Sequence, residues 1–178
     1  MPMVAFNVLA ISGSLRAVST NTGMLRMAQS CVPDGVQLHL YEELGQLPPF
    51  NPDREENEPP AVQRLRTAVG GADALLFASP EYAHGISGVL KNALDWMVAS
   101  GVFVGKPVAL WNASPRASLG LAALRQSLHA MSAYLVDSAD LELLIKAAEP
   151  GHLQVNPGPA AMHAALQSLA LSCASNLT

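Results

Sequence analysis

Asn7-Val-Leu-Ala-Ile-Ser-Gly-Ser-Leu-Arg-Ala-Val-Ser-Thr-Asn-Thr22, continuing into Gly23-Met-Leu-Arg-Met-Ala-Gln-Ser-Cys31, is the stretch that decides the fold. A short apolar run is followed by glycine, hydroxyl and amide residues, and then by apolar residues at helical spacing. This pattern predicts a strand, a loop and a helix. The loop would lie over the amino end of the helix, where unpaired N–H groups and the helix dipole favour an anion.

The predicted loop combines many neutral donors with a single charged residue, Arg16. The donors are Ser12, Ser14, Ser19, Thr20, Asn21 and Thr22. Neither the G-x-x-x-x-G-K-[ST] loop of nucleoside triphosphate sites nor the G-x-G-x-x-G loop of dinucleotide sites is present. Hydroxyls around one arginine suit a terminal monophosphate, held by charge-assisted bonds of about 1.5–3 kcal/mol each. The alternative is an ordinary polar turn that caps the helix, since the same residue types are preferred there.

Length and composition indicate one layered α/β domain over residues 1–178. Of the 178 residues, 50% are hydrophobic but only 5% are aromatic, so the core is built largely from Ala, Leu and Val. A chain of this length can bury a full core. The net charge of −4 argues against a nucleic-acid partner, which needs a basic surface.

The cysteines and the amino terminus favour a soluble, cytoplasmic protein. Cys31 and Cys173 lie far apart on apolar helical faces, and we expect buried thiols rather than a disulfide, a metal pair or a nucleophile. No basic region precedes the first apolar residues, and no apolar run is long enough to cross a membrane. We therefore expect no processing and no membrane partner.

Strands and helices alternate along the rest of the chain. The apolar runs predict strands at residues 8–11, 36–41, 74–78, 108–111 and 134–136. Helices are predicted after the first loop, from Pro60, after Gly88, after Ser118 and from about Pro159. Residues 44–60 hold five prolines and an acidic run, which indicates a long surface loop that could form one wall of a ligand site.

This alternation predicts a three-layer α/β fold with a five-stranded parallel sheet and helices on both faces. Right-handed crossovers leave few topologies, and the commonest has the strand order 2-1-3-4-5. In that order the loops after the first and third strands flank the point where the winding reverses, which is where such sheets bind ligands. Those two loops are here the richest in Gly, Ser, Asn and Pro.

Two motifs resemble those of a known family. Gly13-Ser-Leu-Arg-Ala-Val-Ser-Thr-Asn21 is similar to the G-S-L-R-x-x-S-x-N phosphate loop of the NADPH-dependent FMN reductases, a flavodoxin-like family that includes quinone, chromate and azo-dye reductases. Pro80-Glu-Tyr82, followed by Gly88-Val-Leu-Lys-Asn-Ala-Leu-Asp-Trp96, is similar to that family's P-E-Y-N-x-x-x-P-G-x-L-K-N-A-x-D-W segment. The resemblance covers the chain well to about Ser118.

The resemblance implies an FMN site and names its residues. The phosphate would be held by Ser14, Arg16, Ser19, Thr20 and Asn21. The flavin ring would be bordered by Pro80, Glu81, Tyr82, Ala83 and His84, and approached by Ser114. For several of these an alternative stays open: Ser14 and Ser19 as turn or cap residues, Pro80 as a turn residue and Tyr82 as a surface aromatic.

The chain departs from the family pattern at three places near the flavin ring. Ala83 replaces the asparagine of P-E-Y-N, Ser87 replaces the proline before Gly88, and the loop after the fourth strand lacks a Gly-rich form. His84 could steer a substrate or stabilise negative charge on the ring, or it could be an exposed histidine with no role. Arg116 could attract the second phosphate of NADPH, or be solvated.

The resemblance also implies an activity: hydride transfer from NADPH or NADH to FMN, and electron transfer from FMN to a small-molecule acceptor. The cofactor supplies this chemistry, so we expect no catalytic acid, base or nucleophile and no metal in the protein. A homodimer or homotetramer is expected. The alternatives are a flavodoxin-like FMN electron carrier with a protein partner, and an interaction module that has lost productive flavin chemistry.

Overall fold

The computed structural model describes residues 6–114, 117–149 and 152–175. The strands are β1 (Phe6–Ser12), β2 (Val36–Tyr41), β3 (Ala74–Ala78), β4 (Glu81–Tyr82), β5 (Gly85–Ile86), β6 (Pro107–Asn112), β7 (Tyr134–Leu135), β8 (Leu141–Glu142), β9 (Leu144–Glu149) and β10 (His152–Asn156). The helices are α1 (Thr20–Gln29), α2 (Pro60–Gly71), α3 (Gly88–Met97), α4 (Ser118–Ala130) and α5 (Pro159–Ser175). Strands and helices therefore alternate through most of the chain, as the sequence predicts.

The main sheet is parallel and has the order β2-β1-β3-β6-β7. With β6 and β7 as the fourth and fifth strands, this confirms the predicted order 2-1-3-4-5. Val8 of β1 lies opposite Leu38 of β2 on one side and Ala74 of β3 on the other. Since all pairs run in the same direction, the carboxyl ends of β1, β3 and β6 meet at one edge of the sheet.

The far edge differs from the prediction of one fifth strand, because two short strands replace it. β7 pairs with the start of β6, and β8 pairs with its end, which gives the sheet six strands rather than five. Between them the Asp140 side chain accepts a hydrogen bond of 2.7 Å from the Leu110 N–H of β6. Arg125 of α4 donates to the same carboxylate. The side chain satisfies a main-chain donor that a continuous strand would otherwise pair.

The two faces of the sheet bury separate sets of apolar side chains. One face packs against α1 and α5, with Met24, Leu25 and Leu166 fully buried among residues of β1 and β3. The other packs against α2, α3 and α4, with Leu65 and Leu90 buried there. Successive residues of a strand point to opposite faces, so a strand buried on both faces must be apolar throughout, as β3 is.

One residue is placed differently from the expectation. Cys31 lies after the end of α1 and is only half-buried, whereas Cys173 on α5 is buried as predicted. Trp96 of α3 is buried, and its indole N–H donates to the carbonyl of Pro48 at 2.9 Å. Asn92 donates to the same carbonyl, and these bonds hold the long loop of residues 44–60 against α3.

The structure also contains two antiparallel hairpins, β4–β5 and β9–β10, which the sequence analysis does not predict. The strands of the first hairpin have only two residues each, which is too short to show an alternating pattern.

Among the described residues, no helix is both long and apolar enough to cross a lipid bilayer.

The turn of the β4–β5 hairpin is strained. Its two central residues, Ala83 and His84, have φ values of 49° and 60°. Tight hairpin turns with two positive φ values favour Asn-Gly, because residues with a Cβ atom are disfavoured in the left-handed region. Neither residue here is Gly or Asn.

Replacing Ala83 by Asn should therefore stabilise the protein. We expect Ala83→Asn to raise the free energy of unfolding by about 1 kcal/mol, because Asn tolerates the left-handed region better than Ala. The change is measured as a shift in the urea midpoint at constant slope. The matched control is Ala122→Asn on the exposed side of α4, which should destabilise because Asn is a poorer helix former. If Ala83→Asn did not raise the free energy of unfolding, the prediction of a strained turn would be contradicted.

Candidate functional site

A cavity of about 480 Å³ lies at the carboxyl-end edge of the sheet. Loops from three elements line it: the loop after β1, the segment after β3 and the segment after β6. Its lining residues are Ser14, Arg16, Ser19, Thr20, Asn21, Ser79, Pro80, Glu81, Tyr82, Asn112, Ala113, Ser114 and Ala117. The volume is within the range of about 300–1,000 Å³ that small-molecule sites occupy.

The first loop, residues 13–19, is held by its own hydroxyl groups. Ser19 is the N-cap of α1, and its side chain accepts from the Thr22 N–H at 3.3 Å. The hydroxyls of Ser12 and Thr22 lie 2.8 Å apart, and Ser12 also accepts from the Ser14 N–H at 3.3 Å. These bonds tie the end of β1 to the start of α1. The cap expected as an alternative for Ser19 is therefore present, and it places the amino end of the helix at the cavity.

Two polar side chains of this loop region have no partner in the described part of the chain. Asn21 is buried, and its side-chain oxygen accepts no hydrogen bond from any described residue. The Arg16 side chain is exposed and forms no ion pair with a described carboxylate. A buried polar atom without a partner costs about 1–3 kcal/mol, which a ligand hydroxyl would recover.

The first loop and the loop after β3 meet at Gly13. Its N–H donates to the carbonyl of Ala78 at 2.8 Å and so continues the pairing of β1 with β3. A Cβ atom at this position would lie 2.5 Å from the Ser79 hydroxyl and 2.9 Å from that of Ser87. Only glycine fits here without moving those hydroxyls.

Glu81 links the other two walls of the cavity. The helix α4 has no capping side chain of its own, since its N-cap residue is Ala117. Instead, the Glu81 carboxylate accepts a bond of 2.7 Å from the Gly120 N–H in the first turn of α4. This bond, the carboxylate's hydrogen bonds to His84 and Leu119 and the His84 charge lower the pKa of Glu81, against an opposing effect of burial. The carboxylate thus caps a helix to which it does not belong.

Close packing accompanies this cap. A Cβ atom at Gly120 would lie 2.9 Å from the Gly85 carbonyl oxygen of the hairpin, so the hairpin and α4 approach as closely as their backbones allow. His84 Nδ1 lies 3.2 Å from the other oxygen of Glu81. The segments after β3 and β6 are therefore fixed relative to each other by one carboxylate and one glycine.

Most of the residues expected at the site line this one cavity. They are Ser14, Arg16, Ser19, Thr20, Asn21, Pro80, Glu81, Tyr82 and Ser114. Ala83 and His84 are exposed at the tip of the hairpin and do not line it. Arg116 lies outside the described residues. Glu81 faces α4 with its carboxylate, so its side chain supports the wall rather than presenting a charge to a ligand.

Sequence reasoning missed four lining residues, Ser79, Asn112, Ala113 and Ala117. Asn112 is buried, and its side-chain oxygen accepts from the Ser114 N–H at 3.0 Å, which shapes the turn after β6. A signal was available for Ser79 and Asn112, because each stands where an apolar strand gives way to a loop at the ligand-binding edge.

The fold is flavodoxin-like, and its cavity has a phosphate-type loop after β1 with two further loops facing it. Comparison with protein families narrows the class. Residues 6–143 match the model of the NADPH-dependent FMN reductases, and the chain belongs to that family.

Several proteins named as FMN reductases or quinone reductases match part of the chain. The sequence is 46% identical over 110 residues to an NAD(P)H-dependent FMN reductase of Pseudomonas aeruginosa, covering 60% of this chain and 59% of that protein. It is 49% identical over 96 residues to a probable NADPH:quinone oxidoreductase of Oryza sativa, covering 52% and 47%. A quinone reductase of Pseudomonas putida is 36% identical over 130 residues, 69% of each chain. The matched part thus spans about half the length of the first two relatives.

The fold as a whole has a solved counterpart. A flavoenzyme NAD(P)H:(acceptor) oxidoreductase from Paracoccus denitrificans superposes with a TM-score of 0.69 and 26% identity, covering 97% of this chain and 93% of that one. The part of the chain that the structure describes contains no group of three or more His, Cys, Asp or Glu side chains placed to hold a metal ion.

The Glu81 cap predicts a pH-dependent effect on stability. A carboxyl whose pKa is lowered by folding stabilises the protein above its ordinary pKa of 4.5, and this contribution is lost as the pH falls below that value. Glu81→Gln should therefore lower the free energy of unfolding at pH 7, and the difference from the unsubstituted protein should shrink in acid. Urea unfolding at several pH values measures it.

Glu56→Gln, in the exposed acidic run, is the matched control and should change stability little at any pH. If Glu81→Gln behaved like Glu56→Gln, the carboxylate would not be holding α4.

Proposed function

We propose that the protein is an FMN-dependent NAD(P)H oxidoreductase of the FMN and quinone reductase type, which passes hydride from NADPH or NADH to FMN and then reduces a small acceptor. The observation that carries this proposal is the cavity that joins a phosphate-type loop to two further walls at one edge of the sheet. Family membership and the names of the relatives support it.

The residues present fit FMN. A terminal phosphate would lie at the amino end of α1, with the N–H groups of its first turn, the hydroxyls of Ser14 and Thr20, and the Arg16 guanidinium as donors. The unpaired oxygen of Asn21 would accept a bond from a hydroxyl of the ribityl chain. The ring would lie between the segments after β3 and β6, which Pro80, Tyr82 and Ser114 border.

FMN, when bound, supplies the redox chemistry, because its ring accepts hydride and returns electrons. The protein's own residues bind and orient. Glu81 keeps the ring-side walls at a fixed distance through α4. Tyr82 is 53% exposed, so the cavity keeps an accessible side where donor and acceptor can take turns. His84 lies beside Glu81 at the exposed hairpin tip and would contact the acceptor rather than FMN.

Several further properties belong to the same proposal. Residues 1–178 would form one flavin-binding domain. Both cysteines are free thiols, which suits the reducing cytoplasm. Large apolar residues are exposed at Val98, Val104 and Leu171, by 56%, 67% and 64%, and would be covered in a homodimer or homotetramer. The partners would then be small molecules and copies of the chain.

Arg16→Ala should weaken FMN far more than riboflavin, which lacks the phosphate. Loss of one charge-assisted bond should raise the dissociation constant for FMN about tenfold to a hundredfold. The constant for riboflavin should change less than about twofold, since a neutral ligand gains little from the charge. Quenching of flavin fluorescence measures both. Arg54→Ala, an exposed arginine of the long loop, is the control. Equal increases in the dissociation constants of FMN and riboflavin would contradict the assignment of the phosphate to Arg16.

The activity itself is tested by mixing the protein with FMN, removing air, and adding NADPH or NADH. We expect rapid bleaching of the visible flavin absorption, reversed by a quinone. FMN binding without bleaching by either donor would replace the reductase with an electron carrier that needs a protein partner. Absence of FMN binding would overturn both the reductase and the electron carrier, and would favour an interaction module with this fold.

A further inference from the structure

Two residues of opposite charge line the cavity that would hold FMN, within the part of the chain that the structure describes. Arg16 belongs to the first loop, beside the amino end of α1, where the phosphate would lie. Glu81 belongs to the hairpin after β3, beside the space for the flavin ring. The remaining lining residues are neutral. The cavity therefore has a positive charge at its phosphate end and a negative charge on its ring side.

A smaller cavity beside the first loop holds a second arginine. Its volume is about 280 Å³, and it shares Ser14 and Arg16 with the larger cavity. Arg26 lines it together with Glu42, whose carboxylate lies 3.4 Å from the guanidinium. Both side chains are more than half exposed, so water screens their charges. Arg26 is thus balanced locally, and Glu81 remains the charge that acts on the ring side.

The two helices that begin at the larger cavity are capped by groups of different charge. The neutral Ser19 hydroxyl caps α1, which leaves the partial positive charge of that helix end in place. The N-cap residue of α4 is Ala117, which lines the cavity and has no capping side chain. Instead, the Glu81 carboxylate accepts from the Gly120 N–H at 2.7 Å. One helix end therefore stays positive, whereas the other receives a full negative charge.

The Glu81 carboxylate outweighs the helix end that it caps. A helix amino end carries about +0.5 elementary charge, so a carboxylate of −1 leaves a net charge of about −0.5 at this wall. The bonds from Gly120, from His84 and from the Leu119 N–H lower the pKa of Glu81 and keep it ionised, against an opposing effect of burial. The side chain is only 12% exposed, so water screens its charge incompletely. With a neutral side chain at position 81, the same wall would be positive.

His84 compensates this negative charge in part. Its Nδ1 atom lies 3.2 Å from a carboxylate oxygen of Glu81, and the imidazole favours the ionised form of that carboxyl. Because the His84 side chain is 81% exposed, its contribution is smaller than that of the helix end. The wall thus stays negative.

The charge of this wall bears on the redox state of the flavin. Hydride transfer adds two electrons and one proton to the oxidised ring, which is neutral, so the reduced ring carries one negative charge. Like charges in one cavity repel each other more strongly than in bulk water, because protein has the lower dielectric constant. The wall that contains Glu81 therefore disfavours the reduced ring relative to the oxidised one.

We propose that Glu81 weakens the binding of reduced FMN relative to oxidised FMN, and so lowers the reduction potential of the bound cofactor. The proposal rests on the function proposed above. Glu81 reverses the charge of the α4 wall and makes the reduced ring a stronger electron donor to the acceptor. Its oxygens are already bonded to Gly120 and His84, so it acts through the charge of the wall and is a positioning residue.

The test compares the affinities of the two redox forms of FMN in the absence of an acceptor. The protein is titrated anaerobically with oxidised FMN and with FMN reduced by dithionite, and the ratio of the two dissociation constants gives the shift in potential. Glu81→Gln keeps an oxygen that can accept from the Gly120 N–H but removes the charge. We expect it to tighten reduced FMN relative to oxidised FMN about threefold to tenfold, which raises the potential.

Two further variants leave the cap of α4 intact. His84→Gln removes the partial compensation of Glu81 and should shift the ratio about twofold in the opposite direction. Glu56→Gln is the matched control, because it removes one carboxylate from the exposed acidic run and changes the net charge by the same amount as Glu81→Gln. It should leave the ratio unchanged.

The outcomes separate an electrostatic role from a structural one. Equal weakening of both forms of FMN by Glu81→Gln would show that Glu81 acts only as a helix cap, and would overturn the proposal. So would an equal shift in Glu56→Gln, which would attribute the effect to net charge. If Glu81→Gln did not fold, an unchanged ratio in His84→Gln would contradict the proposal instead. Failure of the unsubstituted protein to bind FMN would overturn the proposed function, and this inference with it.

Discussion

The close approach of the first loop to the loop after β3 is the constraint on which the rest of this site depends. It is possible because Gly13 has no side chain, and a Cβ atom there would lie 2.5 Å from the Ser79 hydroxyl. The contact continues the β1–β3 pairing past the end of the strands through the Gly13 N–H. It sets the distance between the amino end of α1, where an anion is favoured, and the segment that begins at Ser79. A side chain at this position would force the Ser79 and Ser87 hydroxyls to move.

The opposite walls are held by a different interaction. α4 begins without a capping side chain, and the Glu81 carboxylate from the hairpin supplies the missing acceptor for the Gly120 N–H. Gly120 in turn allows the hairpin backbone to lie against the helix. The family motif that contains Glu81 thus has a structural reason in this chain. An acidic residue next to the cavity acts here on a helix terminus, and its carboxylate is directed to α4.

Two arginines lie near the first loop, between two cavities. Arg16 lines both of them, and Arg26 adds a second guanidinium on the side away from the ring. In a chain with a net charge of −4, this is a local reversal of sign. Local fields of this kind attract anionic ligands irrespective of net charge, because nearby charges dominate at short range. The α1 terminus and Arg16 therefore favour an anion at the first loop.

The sequence by itself determined the layered α/β fold, the strand order and the edge of the sheet where the cavity lies. It could do so because apolar runs such as residues 74–78 and the helical spacing after Asn21 are local signals that tertiary contacts do not override. It also identified most of the lining of the first cavity, since polar loops after β1 and β3 must meet where parallel strands end. Only the tertiary structure decided that Glu81 caps α4, that Ala83 and His84 lie outside the cavity, and that Arg26 faces a second one. These outcomes depend on how elements distant in sequence pack, such as hairpin against helix and α1 against β2. The spacing of residues within one segment does not predict such contacts between segments.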